Sequence, residues 1–208
     1  MKVRLIIGFL TLFILGNLNA QEQNINEKSV YVKGNALFIP IGIVNLALEH
    51  QLSKKITVQG DVFISPWKSF DGHELQYYSV SAEGRYYFNE AFRHFYVGAN
   101  IATSAFTLQK WNYWSDEPYY NDYGEVFTSS NLYQKGYSLI IGVTLGYQFK
   151  VSDRWNIDLY GTLGTSQDFY KGYDRTTGER YDRKDNQFNR SGEILPYRGG
   201  VMISYKLK

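Results

Sequence analysis

The sequence predicts an all-β fold, an eight-stranded antiparallel up-and-down transmembrane β-barrel, and three observations carry that reading. Beyond residue 28 the chain divides into eight segments of roughly 9 to 15 residues, longer than ordinary globular strands, in which apolar and polar side chains alternate with a period of two. The links between them alternate between short turns and longer connections, two of which exceed about twenty residues, the asymmetry of bacterial outer-membrane barrels. The chain also opens on an export signal, and no later apolar run reaches the ~18 residues expected of a transmembrane helix.

The signal is read from Met1-Lys2-Val3-Arg4, the apolar run Leu5 to Leu18, and the small residue Ala20 before a polar stretch. A charged start, a short apolar region and a small residue at the cut make a secretory signal peptide over 1–20. An apolar run of about 14 residues is too short for a membrane anchor. A polar leader follows over 21–28, and the barrel is expected over 29–208. Removing Lys2 and Arg4 from the 22 basic residues leaves 20, equal to the 20 acidic ones. A neutral, exported chain is not built for nucleic acid. There are no cysteines, so neither disulfides nor thiolate metal sites are available. Nineteen Tyr, 13 Phe and 4 Trp form a heavy aromatic load, and 19 Gly against 4 Pro suit strands that bend.

The first segment, Ser29 to Ile39, sets Val30, Val32, Ala36 and Phe38 against Tyr31, Lys33 and Asn35, and Pro40-Ile41-Gly42 ends it. The second, Val44 to Leu52, sets Val44, Leu46 and Leu48 against Asn45, Ala47, Glu49 and Gln51. After Ser53-Lys54-Lys55 the third, Ile56 to Trp67, sets Ile56, Val58, Val62 and Ile64 against Thr57, Gln59, Asp61 and Ser65. The fourth, Leu75 to Phe88, carries Tyr78, Val80, Ala82 and Tyr86 on one face and Ser79, Ser81, Glu83 and Arg85 on the other. The fifth, His94 to Leu108, opposes Phe95, Val97, Ala99 and Ile101 to Tyr96, Asn100 and Ser104.

Gln109 to Gln134 has no alternation; it either continues the neighbouring strands above a membrane or hides a further hairpin, which would make ten strands. The sixth segment, Gly136 to Lys150, opposes Leu139, Ile141, Val143 and Leu145 to Gly142, Thr144 and Gln148. The seventh, Trp155 to Tyr170, opposes Ile157, Leu159 and Leu163 to Asn156, Asp158, Tyr160 and Thr162. A polar segment, Lys171 to Glu193, reads as a solvated loop. The eighth, Leu195 to Leu207, opposes Tyr197, Val201, Ile203 and Tyr205 to Arg198, Met202, Ser204 and Lys206.

Successive strand residues point to opposite faces, so each segment has an oily and a polar side. An exported, water-soluble lipocalin-like barrel would turn the oily side inward. The charges argue for the reverse. Those in mid-strand are few and balanced: Lys33, Arg85, Arg198 and Lys206 against Glu49, Asp61, Glu83 and Asp158. A water-facing surface carries more scattered charge. The oily faces place aliphatic residues centrally and aromatic ones toward the ends, as a lipid band between aromatic girdles does. Turned this way, the eight charges converge in a lumen that eight strands leave just wide enough for side chains to fill. Buried charges must pair, so a plugged lumen is expected, with a narrow pore as the alternative.

Several pieces resemble a family of small outer-membrane barrels from Bacteroidota known only as a domain of unknown function. They are Asn35, Asn45-Leu46-Ala47-Leu48-Glu49, Leu52-Ser53-Lys54-Lys55, Trp67, Glu83-Gly84-Arg85-Tyr86-Tyr87-Phe88, Gly146-Tyr147-Gln148 and Trp155-Asn156-Ile157-Asp158. The strongest is the acidic-x-Arg-aromatic-aromatic run; where the family often has Tyr-Trp after the arginine, this chain has Tyr86-Tyr87. The resemblance spans Tyr31 to Gly164 and implies fold and outer-membrane location, but no activity.

Candidate chemistry is sparse. Lipid A-modifying barrels need a histidine with a serine or an acid nearby. His50 and His94 sit beside short turns, and His73 lies in an outer link with Asp71 and Glu74, without a serine placed beside it. A non-enzymatic protein without cofactor or metal is expected. Trp111, Tyr113, Trp114, Tyr119, Tyr120 and Tyr123, with several carboxylates, form either a packed hairpin or a surface-binding patch. Asp122-Tyr123-Gly124-Glu125 lacks the ligand spacing of a calcium loop. The expected partners are outer-membrane lipid and lipopolysaccharide, an extracellular ligand at the loops, and no second subunit.

Overall fold

The computed structural model describes residues 28–208 except 183, 184 and 186; the expected signal peptide 1–20 and the leader up to residue 27 lie outside them. Alternating β-branched, aromatic and small polar residues favour extended backbone, and each alternating segment forms a strand. The strands are β1 (Val30–Asn35), β2 (Val44–Gln51), β3 (Ile56–Phe70), β4 (His73–Tyr87), β5 (His94–Leu108), β6 (Pro118–Tyr120), β7 (Val126–Thr128), β8 (Leu132–Lys150), β9 (Trp155–Asp174) and β10 (Asn189–Lys206). Eight of them close into an antiparallel barrel in the order β1-β10-β9-β8-β5-β4-β3-β2. β6 and β7 pair only with each other. β5 pairs directly with β8 up to Leu108 opposite Gln134, so the Gln109–Gln134 segment adds a small separate hairpin and no barrel strand.

The short turns share one end of the barrel with both termini of the described chain. Two are fixed by a serine folded back onto the backbone. Ser53 Oγ accepts from Ile56 N at 3.1 Å, and Ser152 Oγ accepts from Trp155 N at 3.2 Å. The third turn contains Phe92, buried at a backbone φ of 66°, an uncommon conformation for a bulky residue. Its ring lies 4.4 Å from that of Tyr31 and 6.2 Å from that of Tyr87, so it corks this end of the lumen.

Burial follows the alternation. Leu46, Leu48, Val80, Ile101, Ile141, Leu145 and Leu163 are exposed on the outside, while Asn35, Glu49, Thr57, Glu83, Arg85, Thr144 and Asp158 are buried inside. Aromatic pairs gather toward both ends of the outer face: Phe95 with Tyr147 at 4.6 Å and Trp155 with Tyr205 at 4.8 Å near the short turns, and Tyr137 stacked on Phe169 at 5.1 Å toward the far end.

The strand ends differ from the sequence expectation. β1 stops at Asn35 instead of running to Ile39, because Ile39–Ile41 coils into a 3-10 turn closed by Gly42 at φ 70°. Phe38 therefore leaves the outer face and lines the lumen. β8, β9 and β10 are longer than expected, at 19, 20 and 18 residues. Each finds a long neighbour to pair with, and both ends of the expected Lys171–Glu193 loop, 171–174 and 189–193, become strand. A β-bulge between Pro196 and Arg198 inserts one residue into β10. It turns Tyr197 inward, where the sequence pattern had placed it outward; its hydroxyl donates to Asn100 Oδ1 at 2.6 Å.

Candidate functional site

The lumen is filled from the corked end upward by charged side chains from six of the barrel strands. Period-two spacing places Lys33 of β1, Glu49 of β2, Asp61 of β3, Glu83 and Arg85 of β4, Asp158 of β9 and Arg198 of β10 on the inner surface. Lys33 Nζ bridges Glu49 and Asp158, the latter at 2.8 Å. Arg85 Nη1 reaches Glu49 Oε2 at 3.2 Å and Asp158 Oδ2 at 2.9 Å, and its Nε donates to Glu83 Oε1 at 2.6 Å. Higher in the lumen, Arg198 joins Glu83 at 3.2 Å and Asp61 at 2.6 Å. The structure thus links these residues into one chain of ion pairs. Lys206 stands apart from it: half-buried at the short-turn rim, it lies among Lys54, Lys150 and Asp153. It is the last residue of β10, at the rim and away from the central carboxylates.

Neutral donors add to the coordination of these charges, which leaves Arg85 Nη2 as the buried nitrogen of the group without a hydrogen-bond partner among the described residues. Tyr96 donates to Asp158 Oδ1 at 2.9 Å, and its ring lies 4.6 Å beneath the Arg85 guanidinium. Tyr87 places its hydroxyl 2.8 Å from both Glu49 Oε1 and Gln148 Oε1, and Thr57 also donates to Glu49. Thr144 donates to Glu83 Oε2 at 2.9 Å, and Ser81 donates to Asp61. Gly146 makes room for this layer, because a Cβ there would strike the Tyr96 ring. Tyr87, Tyr96, Tyr160, Ala47 and Met202 pack as the small apolar cluster around the charges. The arrangement can hold charge in fixed places and fill the bore; none of its groups is a histidine or a serine beside a free base.

Above Arg198 the lumen widens into a cavity of about 550 Å³. Its floor is Asn45, Asp61, Tyr160 and Arg198, and its walls include Ile43, Phe63, Leu75, Tyr77, Leu108 and Pro196. Sequence reasoning missed this space. Its apolar wall residues lie on the inner face of upper strand positions, and the β10 bulge that completes it has no signal beyond Pro196.

The expected loop patch is divided by the fold. Tyr113 and Tyr119 turn inward onto Tyr181, whose ring lies 5.9 Å and 5.3 Å from theirs, with Leu132 and Phe127 alongside. Burial, and then the adjacent Tyr113 hydroxyl, push the Tyr181 phenol far above its ordinary value. Trp111, Trp114, Tyr120 and Tyr123 remain exposed, Trp111 by 80%. Trp114 stacks on His73 at 4.3 Å, and Tyr123 donates to Asp185 Oδ1 at 2.8 Å. His73 Nδ1 lies 2.9 Å from Gln109 Oε1, while Glu74 is taken by Arg175. His94 meets Asn89 at 2.8 Å. Among the described residues no cluster of three or more His, Asp or Glu is grouped to hold a metal, and no helix is long and apolar enough to cross a membrane.

No curated protein and no solved structure matches the chain. A family model described as "Protein of unknown function (DUF3575)" matches residues 8–207. With that match spanning nearly all of its length and a closed all-β barrel as its fold, the chain belongs to this family.

Proposed function

We propose that the protein is an outer-membrane β-barrel, exported through its N-terminal signal and monomeric in the membrane of a Bacteroidota cell. Its polar lumen is closed, and its role is non-catalytic: it is structural or binds at the cell surface through its long loops. The observation that carries the reading is the inverted distribution of polarity. Fully buried Lys33, Glu49, Arg85 and Asp158 form the interior, while Leu48, Ile101, Ile141 and Leu163 stand exposed around the belt. A buried charged core inside an exposed aliphatic surface suits hydrocarbon as the surrounding solvent and not water. The girdle pairs at both ends suit the two interfaces of a bilayer.

The cork and the ion-pair chain favour a plug over the alternative of a passive pore. Lipopolysaccharide is the natural neighbour of the loop end, and exposed Trp111, Trp114, Tyr120 and Tyr123 are the surface through which an extracellular ligand would be held. The test is fractionation followed by electrophysiology. The full chain is expected in the outer-membrane fraction as a heat-modifiable species that needs detergent for solubility. It is also expected to leave planar bilayers silent over a wide voltage range. A water-soluble monomer would overturn the location, and steady unitary currents would overturn the plug.

A further inference from the structure

The barrel wall is uneven on one side. β1 pairs with β10 only from Tyr31 opposite Lys206 to Asn35 opposite Met202, and the last bond between them runs from Ala36 N to Val201 O at 2.8 Å. Above that point, among the described residues, Asn189–Gly200 of β10 has a partner strand on the β9 edge alone, and on its other edge Asn35 Nδ2 donates to the Gly199 carbonyl at 3.3 Å. β2 likewise begins at Val44 opposite Ile64, so the top of β3 is paired only with β4. The short 36–43 link that joins β1 to β2 is drawn toward β3, where Trp67 Nε1 donates to the Ile41 carbonyl at 2.9 Å. A lateral notch is left between this link and upper β10. Pro196 contributes no N–H there, and Leu37, Ile39, Ile41 and Ile194 are exposed around it.

The height of the notch is what gives it meaning. The outward apolar band of β10 runs from Tyr205 through Ile203 and Val201 to Pro196 and Ile194 before reaching Arg190. Arg190 is level with Phe169 of the far girdle, and Pro196 with Leu163 of the belt. The notch therefore opens within the apolar band, just below the girdle at the loop end. Behind it lies the 550 Å³ cavity, which reaches a second of about 490 Å³ through shared walls at Tyr77, Leu108, Pro196 and Tyr197. These volumes are in the range of small-molecule sites. The charged residues lining the first cavity are Asp61 and Arg198, and they are paired with each other at 2.6 Å. Among the described residues no unpaired charge lines the first cavity, whose walls are largely apolar, and Lys110, Asp168 and Glu193 line only the second. What fits the first is therefore an uncharged chain whose head group stays outside.

We infer that the upper lumen binds a hydrocarbon chain of a loop-side leaflet lipid, which enters sideways through the notch between the 36–43 link and upper β10. The inference rests on the membrane reading above, and the experiment separates the two. The full chain is placed in phosphatidylcholine nanodiscs whose lipid bears a diazirine on its acyl chain, irradiated, and the label assigned to residues by fragment mass spectrometry. Lipid-facing Ile141 and Leu145 are labelled in any membrane barrel. Label on inward Leu108 and Tyr197 as well is the expected result. Ile141 labelled with Leu108 and Tyr197 blank would overturn the inference and leave the membrane reading intact; blank residues throughout would remove both. A free diazirine fatty acid that labels the lining where the phospholipid does not would overturn the lateral route. Ala102→Trp, which fills the cavity from β5, is expected to abolish lining label while Ile141 label persists. Should that variant fail to fold, the wild-type map alone still decides.

Discussion

Glu83 and Arg85, two residues apart on β4, are joined inside the barrel by a 2.6 Å hydrogen bond from Arg85 Nε to Glu83 Oε1. The other carboxylate oxygen of Glu83 accepts from Arg198 at 3.2 Å and from Thr144 at 2.9 Å. One carboxylate thus connects a lower group, Arg85 with Glu49, Lys33 and Asp158, to an upper one, Arg198 with Asp61. This places Glu83 at the junction of the interior.

Glu83→Ala should therefore cost more than an ordinary surface change, since it leaves two arginines short of a partner in a buried setting. Breaking a buried pair from one side costs about 3–5 kcal/mol. Reversible urea unfolding in detergent should show a loss of that order. Lys206→Ala, outside the connected charges, should stay within about 0.5 kcal/mol. Equal effects from the two would contradict the separation of Lys206 from the network.

Ile141→Arg separates lipid from water as the surroundings of the belt. Ile141 is exposed in mid-strand on β8, so in water the change would be nearly free. Facing hydrocarbon it should cost about 2–4 kcal/mol. The measurement is unfolding free energy in lipid vesicles, with Tyr120→Arg in the exposed β6–β7 hairpin as the near-neutral control.

Phe92→Ala removes the cork without opening a path. The ring closes the short-turn end, but the Glu49, Arg85 and Asp158 layer lies directly behind it. Planar bilayers carrying this variant should remain as silent as wild type. Currents appearing on this single change would show that the charge layer does not seal the lumen.

Alkaline pH should loosen the loop cap before it touches the barrel. The Tyr181 phenol is raised above its ordinary value of 10.0, mainly by burial. Below pH 10 the phenol is neutral in folded and unfolded cap alike and adds no pH dependence. Above it, the unfolded cap ionises first and the folded cap loses stability. Limited proteolysis within 109–134 should accelerate above about pH 10, and Tyr181→Phe should remove part of that dependence.

The orientation of the strands was legible in the sequence because a period of two leaves no freedom over which side chains share a face. Lys33, Glu49, Asp61, Glu83, Arg85 and Asp158 are each an even number of residues from buried neighbours on their own strands, and they lie inside. Departures occur where something interrupts that count. The Pro196–Arg198 bulge shifts Tyr197 by one position, and the turn at Ile39–Ile41 swings Phe38 inward. Strand ends were less legible because they depend on the length of the neighbour. Lys171 looks like loop by composition, yet it pairs opposite Lys135 because β8 is already there to receive it. Phe92 gave no periodic signal, since turn residues have no period to read.

The buried Phe92 and the charge layer behind it turn what strand order alone would describe as a tube into a cup. A cup is closed at one end only, so anything that settles in it comes and goes above the charge layer, over the rim or through the notch proposed in its wall. In the membrane placement proposed above, a solute gradient between the two compartments would do no work through such a cup. Its occupancy would then answer to what is present on the open side alone, an arrangement suited to holding or sensing.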